Sequence, residues 1–226
     1  MWIEPILALA LIAKGLIVGI VASAPMGPVG ILTIQRTLNK GRWYGFVTGC
    51  GAAISDMFYA IISGLGLSFV LDFVERGPNR VLLSISGSIL LFIFGIWMFF
   101  SKPAQPHRPS RRKGTLAHNA LTGFLVTLSN PLIVFLFLAL FTRFAFVVPD
   151  HPVEQVFGYL GIFGGALLWW FCLSGVINRL RNRFHMETIR RINRCLGIIV
   201  MLVSLVGLVL WFVDWHLRHF QVLLQM

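Results

Sequence analysis

Charge is scarce in this chain, and acidic residues are the scarcest charged type. Asp and Glu together number 8 among 226 residues, and charged residues of both signs make up only 12%. A soluble domain carries about 25% charged residues. Apolar residues account for 57% of the chain, and the mean hydropathy is +0.83. This composition excludes an ordinary soluble domain and indicates an integral membrane protein.

The chain also lacks the usual sequence marks of catalysis and of cofactor binding. Its three cysteines, Cys50, Cys172 and Cys195, are isolated in or beside apolar segments, which argues against a thiol relay and a thiolate metal site. No Gly-rich phosphate loop and no nucleophile–base pair occurs, and the histidines are scattered through predicted loops and the tail. We therefore predict no enzyme activity, no cofactor and no resident metal.

Long apolar segments are abundant, and each has about the 20 residues that a membrane span needs. Six candidates occur, at residues 5–24, 44–71, 81–101, 119–142, 156–177 and 195–213. The loops between them are too short to hold a soluble domain. The sequence therefore predicts an all-α fold of six transmembrane helices in a single membrane domain over residues 1–226.

Lys and Arg residues are concentrated in alternate loops. They follow the first, third and fifth segments: Arg36, Lys40, Arg42; Lys102, Arg108, Arg111, Arg112, Lys113; and Arg179, Arg181, Arg183, Arg190, Arg191, Arg194. Short basic loops stay on the cytoplasmic side, so both termini are predicted to lie outside. The net charge of +11 is assigned to contacts with membrane lipid headgroups, and no nucleic-acid partner is predicted.

The chain divides into two similar halves. A Pro-rich, basic linker at about 102–118 is predicted to be a cytoplasmic loop between repeat one (about 1–101) and repeat two (about 119–226). Each half begins with a segment interrupted by proline, at Pro25 and at Pro131. Because each half has three spans, the second repeat must be inverted relative to the first, as in many transporters.

The two interruptions are the strongest functional signal in the sequence. They read Ala24-Pro25-Met26-Gly27-Pro28-Val29-Gly30 and Ser129-Asn130-Pro131. In lipid, irregular backbone is tolerated only where protein or a water-filled cavity satisfies its polar groups. A helix that restarts at Val29 would present N–H groups and a positive dipole end to a carboxylate. We therefore predict a substrate site at Pro25, Gly27, Pro28, Asn130 and Pro131; plain proline kinks are the alternative.

Asp56 is the only acidic residue well inside an apolar segment, and Lys14 is the lone cation halfway along the first segment. A charge at the bilayer centre is costly, by about 2.5–3.5 kcal/mol on insertion scales. Two interpretations stay open. Lys14 and Asp56 form a structural ion pair, or Asp56 exchanges a proton during transport with Lys14 nearby.

Aromatic residues complete the predicted site. Tyr59, one turn beyond Asp56, and Trp169 or its neighbour Trp170 are candidates to hold a substrate ammonium against their π faces. Packing in the core or at the membrane interface is the alternative.

Small residues recur every four positions in the first segment: Gly15, Gly19, Ser23 and Gly27. This spacing predicts close helix packing, with the first, second and fifth segments at the centre. The third and sixth segments are expected to face lipid.

These motifs resemble the LysE-type translocators, the lysine exporter and homoserine/threonine exporter group. The resemblance rests on Pro25-Met26-Gly27-Pro28, Arg36…Gly41, Gly45…Gly49…Asp56, Asn130-Pro131 and Arg194…Gly197. The chain departs from the family pattern by the extra Met26 and by Leu132, where the family usually has lysine.

The resemblance implies proton-coupled efflux (antiport) of amino acids or similar small amphoteric metabolites. It also implies the bacterial cytoplasmic (inner) membrane and a homodimer. The main alternative is a metal-ion or other cation exporter of the same superfamily, which should carry several intramembrane acids or histidines rather than Asp56 alone.

Overall fold

The computed structural model describes residues 3–25, 27–74, 79–100, 114–130, 132–148, 150–180 and 186–224. Across these ranges the chain forms α-helices and no strand. The helices are α1 (Ile3–Ser23), α2 (Pro28–Lys40), α3 (Arg42–Val74), α4 (Asn79–Phe100), α5 (Leu116–Leu128), α6 (Leu132–Phe144), α7 (Pro152–Arg179) and α8 (Met186–Leu224). Met26, Pro131 and residues 101–113, which include most of the predicted linker, lie outside the described residues.

The helices are those of a multi-pass membrane protein. Within the described ranges, three stretches are long and apolar enough to cross a membrane: Pro5–Ser23, Arg42–Ser68 and Pro152–Arg179. Helices α5 and α6 qualify as a fourth span only when taken together, and their axes differ by 75°. The predicted third and sixth segments correspond to shorter apolar stretches, Ile85–Phe100 and Asn193–Val206.

The first interruption separates α1 from α2. Helix α1 ends at Ser23, and α2 begins at Pro28, one residue before the predicted restart at Val29. Proline is suited to the first helical position because its φ is already helical and its missing N–H would have no partner there. Helix α2 continues through Arg36 to Lys40, so a helix occupies most of what the sequence suggested was a basic loop.

Arg36 was predicted to lie near lipid headgroups, but the structure places it inside the protein. Its side chain is buried, and Nη1 donates hydrogen bonds to Thr48 Oγ1 (2.9 Å) and to the Asn119 carbonyl oxygen (2.8 Å). A buried cation is tolerated where its donors find acceptors. Arg36 therefore ties α2 to both α3 and α5.

Glycine brings α1 and α7 into backbone contact. A Cβ atom at Gly15 would overlap the carbonyl oxygen of Gly158, and one at Gly19 would overlap that of Ile162. Small residues permit such approach between membrane helices, where apolar side chains gain little by leaving lipid. The prediction that the first and fifth segments pack closely is confirmed, since α1 packs against α7 and α7 against α3.

Helices α3 and α5 meet in the same way. A Cβ at Gly51 of α3 would overlap the Ala120 carbonyl oxygen, and one at Gly123 of α5 would overlap the Thr48 carbonyl oxygen. Helix α3 follows the first interruption and α7 follows the second. Each packs against a helix from the opposite half of the chain, α3 against α5 and α7 against α1. Helices α4 and α8 form the third such pair, through Gly95 and Gly197, each of whose Cβ positions lies within 3.0 Å of the other's carbonyl oxygen.

Two apolar clusters fill the space between the helices. One is centred on α6 and includes Phe137, Phe141 and Phe146, of which Phe141 and Phe146 stack at 4.5 Å between ring centroids. The other joins α2, α3 and α7 around Ile34 and Trp170. The site described below lies between these two clusters.

We predict that Gly51→Ala destabilises the protein by about 1–3 kcal/mol, because the added methyl group overpacks the α3–α5 contact. Gly66→Ala is the matched control on the same helix, since a Cβ there meets nothing within 4 Å. Helix propensity alone should make Gly66→Ala neutral or stabilising by up to about 1 kcal/mol. Thermal unfolding of the purified proteins in detergent measures both. Equal unfolding temperatures would contradict the backbone contact.

Candidate functional site

A cavity lies where the α1–α2 and α5–α6 interruptions meet. Five of the predicted site residues line it: Pro25, Gly27, Pro28, Asp56 and Asn130. The cavity has a volume of about 60 Å³. One water needs at least about 10–15 Å³, so there is room for several waters. Pro131 is outside the described residues, but its neighbours Asn130 and Leu132 are in the wall.

The start of α2 faces this cavity without a side-chain cap. The Gly27 N–H bonds to the Pro25 carbonyl oxygen (2.9 Å), which closes a tight turn before the helix. Gly27 occupies the N-cap position and has no side chain to accept from the first turn, and Pro28 has no N–H to donate. The positive end of the α2 dipole is therefore directed toward the cavity region that Pro28 and Val29 line.

Two side chains help to satisfy the backbone at the second interruption. Tyr59 Oη of α3 donates to the Leu128 carbonyl oxygen at 2.5 Å, where α5 ends. Asn130 Oδ1 accepts from the Leu132 N–H (3.3 Å) and caps the start of α6. The side-chain oxygen of Asn130, a predicted site residue, is thus used within the protein. Tyr59 acts on the backbone of the break and is not in the cavity wall.

Asp56 is 5% exposed and accepts a hydrogen bond from Ser23 Oγ at 3.2 Å. Ser23 is the last residue of α1, so this bond joins the end of α1 to the middle of α3. Asp56 is the only charged side chain in the described wall of the cavity. Its carboxylate is consequently the site's one strong anchor for a positive group.

Lys14 does not reach Asp56. Lys14 Nζ donates instead to the Ala145 carbonyl oxygen (3.1 Å), just beyond the end of α6. Cations at a helix C-terminus interact favourably with its free carbonyls and dipole. Lys14 also precedes Ser23 by nine residues, or about 14 Å along a helix. The structural ion pair considered for these two residues is therefore absent between them, and their placement does not support a joint role in proton coupling.

Of the two neighbouring tryptophans, Trp170 lines the cavity and Trp169 does not. Trp170 packs over Gly49 of α3, where a Cβ would overlap its side chain. Trp169 lies at the edge of the cluster around Ile34. The sequence could not decide which of the two tryptophans lines the site. Successive helical residues point in different directions, and only packing determines which one faces the cavity.

Sequence reasoning missed several wall residues. Helix α4, expected to face lipid, contributes Phe94 and Trp97, and α5 contributes Thr127. Thr127 lies only three residues before Asn130 at the predicted interruption, and this proximity is a signal the sequence contained. Phe94 and Trp97 share a helix face, but nothing local distinguishes that face from a lipid-facing one.

Comparison with known proteins gives one family. A sequence model of the LysE type translocator family matches residues 20–210. The "Putative amino acid efflux protein YcgF" of Bacillus subtilis (strain 168) is 28% identical over 186 residues, 81% of this chain and 88% of that protein. The "Uncharacterized membrane protein YahN" of Escherichia coli (strain K12) is 25% identical over 180 residues, 77% of this chain and 78% of that protein. No solved structure matches the chain significantly.

We predict that Tyr59→Phe lowers stability by about 0.5–1.5 kcal/mol, because it leaves the Leu128 carbonyl at the helix break without its donor. Tyr44→Phe is the control: its hydroxyl makes no hydrogen bond to any other residue that the structure describes. Thermal unfolding in detergent, followed by circular dichroism, compares the two variants with the wild type. An equal effect of both substitutions would argue against a specific role for the Tyr59 bond.

Proposed function

Since the chain belongs to the LysE type translocator family, we propose that it is a secondary-active exporter of amino acids or related small amphoteric metabolites. One observation carries this proposal: the cavity at the two helix interruptions holds Asp56 as its only charged side chain in the described wall. A similar protein of Bacillus subtilis bears the name of an amino acid efflux protein. That name agrees with a site that binds a small charged metabolite.

The proposed architecture has six membrane helices as a 3+3 inverted repeat, in which α1–α2 and α5–α6 are the first helices and are broken at proline. The cross-packing of the halves supports it. Helix α1 packs on α7, and its counterpart in the second half, α5, packs on α3. Both contacts are made by glycine against backbone. An inverted repeat would relate these two interfaces to each other and would relate α4 to α8.

The proposed substrate is bound by its two charges at different parts of the cavity. Its ammonium group pairs with Asp56, and its carboxylate faces the start of α2, where the helix dipole favours an anion. The indole of Trp170 and the rings of Phe94 and Trp97 enclose the apolar part. An amino acid that occupied a cavity of about 60 Å³ would have to be small, unless the helices separate further during transport.

Proton coupling is proposed to rest on Asp56 alone. Its neutral partner Ser23 does little to balance a negative charge, and no cation pairs with it among the described residues. A buried carboxylate without a counter-charge is costly in a membrane, so it is expected to hold either a proton or the substrate ammonium. Alternating between these two states would couple export of the substrate to import of a proton.

The surroundings of the protein are proposed from the charge pattern and the family. We propose a multi-pass protein of the bacterial cytoplasmic (inner) membrane with both termini outside, basic loops against lipid headgroups, and a homodimer. The alternative of metal-ion or other cation export rests on Asp56 by itself. No group of three or more His, Cys, Asp or Glu comes together within the described ranges.

The proposed export is tested by feeding bacterial cells each amino acid as a dipeptide and measuring its accumulation inside. Cells that carry the protein should accumulate at least one amino acid to a several-fold lower level than matched cells that lack it. Equal accumulation of every amino acid in the two strains would refute the proposed function.

Asp56→Asn is predicted to reduce export at least about tenfold, because it keeps the size of the side chain but removes the charge for both ammonium and proton. Asp150→Asn is the control, since Asp150 is exposed in the segment between α6 and α7. The measurement is proton-driven efflux of the best amino acid from the feeding experiment, in proteoliposomes. Wild-type efflux by Asp56→Asn would eliminate Asp56 as the coupling residue.

A further inference from the structure

The two hydrogen bonds of Arg36 lie beyond the cavity on all three helices that they join. Arg36 is eight residues, or about 12 Å, past the start of α2, which lines the cavity. Its acceptor Thr48 precedes the cavity residue Ala52 of α3 by four residues, or about 6 Å. Its second acceptor, the Asn119 carbonyl oxygen, precedes the cavity residue Val126 of α5 by seven residues, or about 10 Å. The bonds therefore lie toward the α2–α3 connection and the start of α5.

Small or polar residues occupy the helix faces between Arg36 and the cavity. Residues four apart share a helix face, and two such faces are buried: Thr48, Ala52 and Asp56 of α3, and Asn119, Gly123 and Thr127 of α5. These two faces meet, since a Cβ at Gly123 would overlap the Thr48 carbonyl oxygen. Helix α2 adds the buried side chains of Thr33, Arg36 and Thr37. We call these residues the polar seam, and it reaches the cavity wall at Ala52, Asp56 and Thr127.

We infer that the polar seam is the closed path by which substrate enters the cavity from the cytoplasm, and that Arg36 is the positioning residue that controls its opening. This inference rests on the proposed function and on the proposed cytoplasmic placement of the basic segments. A charged metabolite needs a path that water can enter, because lipid and apolar protein offer its polar groups no partners. The seam joins the cavity to the end of the molecule where Lys40 and Arg42 lie.

The ends of α2 allow this helix to move relative to α5. Gly27 precedes α2 and Gly41 follows it, and a Cβ at either position would meet nothing within 4 Å. Gly41 has a φ of +110°, a conformation that favours glycine. Conformational changes commonly hinge on a few residues at the ends of such elements. Ile31 and Ile34 pack α2 into the cluster that it shares with α3 and α7, so a movement away from α5 opens the seam while this apolar packing stays in place.

The chemistry of the Arg36 contacts suits a contact that breaks and forms again. Both acceptors are neutral oxygens, and within the described ranges no carboxylate pairs with Arg36. When the seam opens, water can replace the two acceptors around the guanidinium group. A buried donor that loses one acceptor is destabilised, whereas replacing the polar groups on both sides by apolar ones is close to neutral. Loss of the Thr48 hydroxyl should therefore open the seam, and further loss of the guanidinium should close it again.

The test measures how often a cysteine in the cavity wall becomes accessible from each side of the membrane. The reporter is Val126→Cys, in a chain whose own cysteines, Cys50, Cys172 and Cys195, are replaced by alanine. The reagent is a methanethiosulfonate with a trimethylammonium group, which does not cross membranes. It is added to inside-out vesicles, which expose the cytoplasmic face, and to right-side-out vesicles. Mass spectrometry gives the labelling rate, which follows the population of the open state.

Thr48→Val should raise the labelling rate in inside-out vesicles about tenfold, the effect of one hydrogen bond to a charged group. In right-side-out vesicles the rate should change by no more than about twofold. Adding Arg36→Met to Thr48→Val should return the rate to that of the wild type or below it, because no buried charge then lacks a partner. A protein that is merely loosened by these substitutions would show neither the preference for one face nor the reversal.

Thr122→Val is the matched control. Like Thr48, Thr122 donates its hydroxyl to the carbonyl oxygen four residues earlier, but in the described structure it receives no bond from Arg36. Its labelling rate should equal that of the wild type. If Thr48→Val does not fold, as gel filtration would reveal, Thr48→Ala takes its place, and Thr48→Ser, which keeps the acceptor, should label like the wild type.

The outcomes are distinct. Labelling that is absent or unchanged in Thr48→Val, a rise of equal size from both faces, or a rise confined to right-side-out vesicles overturns the inferred path. An equal rise in Thr122→Val, or a rise that Arg36→Met does not reverse, overturns the role of Arg36. The labelling uses no amino acid, so it is independent of the feeding experiment. A wild type that exports no amino acid refutes the proposed function itself.

Discussion

The structure depends on one constraint: backbone groups released by a helix break inside lipid must find partners in the protein. Lipid offers none, so an unsatisfied carbonyl or N–H there is costly. The break after α5 meets this constraint with Tyr59, which reaches across from α3 to the Leu128 carbonyl oxygen, and with the Asn130 side chain, which caps α6. The break after α1 uses a tight turn from Pro25 to Gly27. The two breaks are stable where they are because other helices surround them.

Those surrounding helices come close because glycine permits it. Gly15 and Gly19 place α1 on the backbone of α7, and Gly51 and Gly123 place α3 on α5. Each helix that leads into a break is thereby packed against a helix from the other half of the chain. Residues of both breaks line one cavity, so the packing that stabilises the fold also forms the site.

The placement of three charged side chains on these helices follows from this arrangement. Lys14 is bound at the free end of α6, Arg36 bridges α2 to α3 and α5, and Asp56 is left with a serine hydroxyl. Lys14 and Arg36 are thus bound by carbonyl and hydroxyl oxygens of residues outside the described cavity wall. Asp56, the one carboxylate in the described wall, stays available for a ligand, and this separation gives the cavity its chemical character.

The sequence by itself determined the class of the protein and the places where its helices stop. Hydropathy, proline and the scarcity of acidic residues in apolar segments are local properties, and they predict membrane helices, two interruptions and Asp56 as the unusual charge. Tertiary structure decided the partners: Ser23 rather than Lys14 for Asp56, Trp170 rather than Trp169 in the wall, and α4 as a contributor to the cavity. These choices depend on which helix faces meet, and that is set by close contacts between residues far apart in the chain, such as Gly49 with Trp170.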